Sequence, residues 1–117
     1  MLGNILIALV AALHVGFMYL EMVAWDRPLG RKLFRTTPEF SAASKALAAN
    51  QGLYNGFLVA GLAWGLWLGE AGYAVKTFFL ACVVIAGVFG AATVSRRILY
   101  VQALPAAAAL IALWTGW

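Results

Sequence analysis

The sequence predicts an all-α fold, a bundle of four transmembrane helices whose second helix extends into the cytoplasm. Three observations carry this. Hydrophobic residues make up 65% of the 117 and charged ones 10%, against about 45–50% and about 25% in soluble domains. Stretches 1–20, 46–69, 77–95 and 98–117 hold no charged residue. None alternates apolar with polar residues as a barrel strand does. This composition excludes disorder, a coiled coil, a disulfide-stapled secreted module and an ordinary soluble enzyme.

A helix needs about 20 apolar residues to cross the hydrocarbon core and satisfies its own backbone hydrogen bonds there. The spans are predicted near 3–25, 49–69, 75–95 and 98–117, in one integral membrane domain over residues 1–117. The first is not a cleavable signal: no Lys or Arg precedes Arg27, and Glu21 follows the apolar stretch directly. Pro28 and Gly30 are expected to end it and turn the chain. Thr36 and Glu39 have capping-box spacing, with Pro38 suited to a first turn. The second helix is expected to start near Pro38 and run unbroken to Gly69, roughly 48 Å. The alternative is a surface helix broken near Asn50–Gly52. Gly52 and Gly56, and Gly61, Gly65 and Gly69, repeat at intervals of four, which lets helix backbones approach closely in lipid. The third span looks like a packing helix. In the fourth, Pro105 is expected to kink the chain.

Seven basic residues, Arg27, Arg31, Lys32, Arg35, Lys45, Arg96 and Arg97, flank the first–second and third–fourth connections, against Lys76 alone in the other. The positive-inside rule puts the first set in the cytoplasm and both termini outside, in a bacterial inner membrane. Trp64, Trp67, Trp114 and Trp117 then mark the outer interface and Trp25 the inner one. The basic loops favour anionic lipid headgroups. With no soluble platform to carry the charge, nucleic acid is not a partner.

An ionisable residue inside a span is a functional candidate because its desolvation is costly. His14 and Glu21 lie seven apart on one face of the first helix, about 10 Å along the axis. Glu21 is expected either to pair with Arg27, Arg31 or Arg96, or to take hydrogen bonds from Asn50, Gln51 or Asn55. His14 could bond a neighbouring carbonyl or, with Glu21, bracket a pocket or proton relay. Arg97, Tyr100 and Gln102 extend the same inner-boundary polar set. A copper site from His14, Met18, Glu21 and Met22 lacks a second His or a Cys pair. No metal or cofactor is expected, and Cys82 reads as a small buried hydrophobe.

The motifs His14-x-x-Phe17-Met18-Tyr19-Leu20-Glu21-Met22-x-x-Trp25, Asn50-Gln51-Gly52-x-Tyr54-Asn55-Gly56-Phe57-Leu58-x-x-Gly61-Leu62 and Gln102-x-x-Pro105-Ala106 resemble a bacterial family of small four-helix membrane proteins, catalogued as domain of unknown function 1304. The resemblance implies membrane location and four helices, with no assigned activity and no catalytic residues. A weaker likeness of architecture is to the microsomal glutathione transferase and eicosanoid-synthase superfamily. It rests on Lys45, Asn50 and Asn55 in the second helix and on Arg96-Arg97-x-x-Tyr100. The superfamily's Arg and Glu in the second helix are missing here.

The leading functional expectation is a polar pocket at the cytoplasmic side that binds a lipid-like or small amphipathic ligand. The alternatives are an accessory subunit of a larger membrane complex and a proton-linked small transporter using Glu21 and His14. A homo-oligomer is expected in the first case.

Overall fold

Helices account for nearly all of the chain in a computed structural model that describes residues 1–117. They are α1 (Leu2–Met22), α2 (Pro28–Phe34), α3 (Pro38–Leu68), α4 (Tyr73–Thr93) and α5 (Leu104–Trp114). A 3-10 turn, Gly69–Gly72, joins α3 to α4, and a π turn, Leu99–Ala103, leads into α5. Leu2–Met22 and the run Pro38–Thr93 are long and apolar enough to cross a membrane by length and composition; Leu99–Trp114 is apolar but shorter.

Several elements differ from the sequence expectation in physically readable ways. Pro28 and Gly30 do not turn the chain. Pro28 occupies the first position of α2, where its fixed φ favours a helix start. Gly30 is buried, and a Cβ there would collide with the Ala24 carbonyl. α2 ends at Arg35, which adopts the left-handed conformation (φ 55°) and donates its backbone N–H to Arg31 O. The cap of α3 is Thr37, one residue later than the capping box suggested: its Oγ1 accepts the Phe40 N–H at 3.1 Å. Thr36 Oγ1 is instead buried without a partner. α3 runs unbroken for 31 residues and ends where Gly69 takes φ +63°, the left-handed position that glycine accepts without strain.

The fourth span does not begin as a regular α-helix. Leu104 N–H bonds Leu99 O, a five-residue step. Pro105 supplies no N–H, and its ring crowds the carbonyl four residues back. The wider π turn immediately before it accommodates both demands.

The chain divides into two compact units, His14–Phe57 and the remainder, Met1–Leu13 with Leu58–Trp117. The second contains the apolar core: Ile7 and Val10 from α1, Leu62 from α3, Leu80 and Val83 from α4, and Ala106, Ala109 and Leu110 from α5. Small residues set the spacing in this unit. A Cβ on Gly87 would lie 2.6 Å from the Ala103 backbone N, and one on Gly90 3.0 Å from Ile98 Cγ2.

Gly87→Val should therefore destabilise the protein by about 1–3 kcal/mol. Gly16→Ala, where a Cβ meets nothing within 4 Å, should not. Thermal unfolding of both variants in detergent checks the pair.

Candidate functional site

The unit His14–Phe57 carries a buried acid, Glu21, whose surroundings follow from how α1 and α3 pack within it. Gly52 and Gly56 share a face of α3. A Cβ on Gly52 would lie 2.5 Å from Met22 Cγ and 3.1 Å from Glu21 Cβ, and one on Gly56 2.9 Å from Met18 Sδ. The bare backbone of α3 thus sits against the Met18–Met22 turn of α1. Asn55, between the two glycines, donates from Nδ2 to Glu21 Oε1.

Glu21 is 7% exposed, and within its unit no Lys or Arg lies within ion-pair distance. Of the arginine partners offered by the sequence, Arg31 pairs with Asp26 instead, at 3.2 Å. Arg31 also donates to the Asp26 carbonyl at 2.8 Å. Of the three candidate amides, only Asn55 faces the acid. Asn50 and Gln51 are exposed, because they fall off the Ala48–Gly52–Gly56 face. His14 is fully buried and meets Phe17 edge to face, with ring centroids 5.0 Å apart.

A second polar layer ties the loop to the start of α3. Ser41, fully buried, donates to Asp26 Oδ1 at 2.6 Å. Trp25 Nε1 donates to Ser44 Oγ at 3.0 Å and stacks at a tilt on Phe34. The Ser41 hydroxyl holds the Asp26 carboxyl below its ordinary range. Partial burial works against it, and Arg31 and then Lys45 add to the lowering.

Arg97, Tyr100 and Gln102 belong to the other unit. Arg97 and Tyr100 are exposed and Gln102 is half-buried. Sequence reasoning missed the polar centre of that unit. Lys76, which the sequence places in a connection, lies in the first turn of α4 and is 4% exposed. Its Nζ donates to Asn4 Oδ1 and to the Gly69 carbonyl, both at 3.0 Å. Gly65, eleven residues before it, makes room for the stem: a Cβ there would lie 2.8 Å from Lys76 Cγ. A cleft of about 360 Å³ lies beside this lysine. None of the eight residues singled out from the sequence lines it. No group of three or more His, Cys, Asp or Glu is placed to hold a metal.

Residues 8–114 match the family described as "Protein of unknown function (DUF1304)", and the chain belongs to that family. It is 28% identical over 111 residues to the uncharacterized protein YpaA of Lactococcus lactis subsp. lactis, covering 92% of this chain and 93% of that one. No solved structure matches it significantly.

Two predictions follow from the contacts. Glu21→Gln keeps an acceptor for Asn55 and should fold normally, whereas Asn55→Ala strands a buried carboxyl and should cost about 1–3 kcal/mol; chemical denaturation in micelles reads both. A lowered carboxyl pKa stabilises the fold at pH above the group's ordinary 3.8. That contribution is lost as pH falls through the lower folded value. Ser41→Ala should move the Asp26 titration upward, followed by its carboxyl carbon NMR shift.

Proposed function

We propose that this DUF1304 protein is a multi-pass integral membrane protein whose Glu21–Asn55 pair binds the head of a small amphipathic molecule. The spanning elements are α1, α3, α4 and the Leu99–Trp114 segment. Within the most apolar windows of Leu2–Met22 and of Pro38–Thr93, only 22% of residues are buried inside the chain. Ile5, Leu9, Phe57, Phe78, Ile85, Phe89 and Ile111 are exposed. A soluble protein leaves far fewer large apolar side chains in water. Leu99–Trp114, at 16 residues, is roughly 24 Å long, and local thinning of the bilayer meets a shortfall of that size. Charge asymmetry orients the chain with its basic connections in the cytoplasm of a bacterial cell, beside anionic headgroups, and both termini outside.

The observation that carries the binding reading is the buried Glu21 carboxyl, with one amide partner and no cation in its unit. A carboxylate accepts about four hydrogen bonds. The unused capacity, beside Met18 and Met22, favours a hydrogen-bond-donating or cationic head on an apolar tail. The same acid serves a proton-linked carrier if proton and ligand compete for it.

Titration calorimetry with dodecyltrimethylammonium in dodecyl maltoside micelles tests this. Saturable binding should fall by about tenfold or more in Glu21→Gln and persist in Arg97→Ala. Equal binding by wild type and Glu21→Gln contradicts the assignment.

A further inference from the structure

The Lys76 cleft lies in the other unit and stands independently of the Glu21 reading. Lys76 is buried along its whole length, its stem against Gly65 and its Nζ held by two neutral acceptors, Asn4 Oδ1 and Gly69 O. An ammonium has three donors, so these two bonds leave one donor and the full charge. Glu70, the one acidic side chain in this unit, is exposed and beyond ion-pair distance of Lys76; the Met1 ammonium, also on the cleft wall, donates to Trp117 O at 3.0 Å. A buried charge is expensive unless something of opposite sign meets it. Ordinarily a lysine near a helix end in a membrane extends its amine to the interface. This one is turned inward and fixed.

The cleft beside it is lined by Asn4, Gly69, Glu70, Tyr73, Lys76 and Trp117 among others. Its volume, about 360 Å³, falls within the range of small-ligand sites, about 300–1,000 Å³. Tyr73, Trp67 and Trp117 are exposed in the same unit. Amphipathic aromatic rings of this kind collect at the level of lipid headgroups. A cationic recess at that level, walled by aromatic and aliphatic groups, suits an anionic head with its tail in the bilayer.

We propose that Lys76 anchors an anion site, in which the cleft between Asn4, Tyr73 and Trp117 takes the carboxylate or phosphate head of an anionic amphiphile. The head receives the third Lys76 N–H and neutralises the buried charge; the chain lies along Tyr73 and Trp117. Glu70 at the cleft wall discourages a more highly charged head.

The test uses 11-bromoundecanoate, a carboxylate amphiphile that quenches nearby tryptophan, with the full chain in dodecyl maltoside micelles at neutral pH. Saturable quenching is expected in wild type, weakened about tenfold or more in Lys76→Met. Tyr73→Glu, at an exposed position, should weaken it similarly by placing a negative charge in the cleft, and Glu70→Gln should strengthen it. Displacement by dodecyl phosphate but not by inorganic phosphate assigns the site to a lipid-type head. Displacement by inorganic phosphate assigns the same site to a free anion. The proposal is overturned if quenching is undiminished in Lys76→Met, or undiminished in Tyr73→Glu. It is equally overturned if dodecyltrimethylammonium displaces the probe as well as dodecyl phosphate does.

Discussion

The close approach of α1 and α3 at Gly52 and Gly56 is the constraint on which the polar centre of the His14–Phe57 unit depends. With no side chain at either position, Met18, Glu21 and Met22 pack directly on the α3 backbone. That proximity lets the short Asn55 side chain reach a carboxyl on the facing helix. A larger residue at either glycine would move α3 outward and part Asn55 from the buried Glu21 carboxyl. Packing and hydrogen bonding therefore reinforce each other here.

Each unit places its polar atoms by the same rule. In one, Asp26 collects Ser41 and Arg31 while Trp25 reaches Ser44, fixing the loop and α2 against the start of α3. In the other, Lys76 joins the first turn of α4 to Asn4 on α1 and to the carbonyl that follows α3. The favourable electrostatics are understandable, since a cation beside a helix C-terminus complements its dipole. The chemical characters of the two buried charges are opposite. Glu21 has an amide and no cation in its unit, and Lys76 has neutral oxygens and no acid. On the proposed reading both are recognition points, for heads of opposite sign.

Much of this was legible in the sequence because lipid-like apolarity and helix periodicity are strong signals. The all-α class, the long uninterrupted helix from Pro38 and the perturbation ahead of Pro105 all follow from residue chemistry alone. The choice of Asn55 over Asn50 and Gln51 does not: the sequence left all three amides open, and the packing of Gly52 and Gly56 on the Met18–Met22 turn separates them. Other features were not legible. Thr36 and Thr37 are adjacent and both able to cap, so only the backbone path decides between them. Pro28 both ends and starts helices, and Gly30 turned out to be needed for contact with the Ala24 carbonyl rather than for a bend. Lys76 read as a loop residue because a charge beside Gly72 and Tyr73 is ordinarily solvated. Its burial depends on Asn4, 72 residues away, a pairing that no local pattern announces.

On the proposed reading Glu21 and Asn55 form a water-excluded pair in a protein surrounded by lipid. Solid-state NMR of the chain in bilayers, with labelled Glu21 Cδ and Asn55 Nδ2, tests it directly. The expected result is a through-space correlation between those atoms at hydrogen-bond range, no exchange of the carboxyl signal with bulk water, and acyl-chain contacts at Ile85 and Phe89. Absence of the correlation, with Glu21 in rapid contact with water, would contradict it.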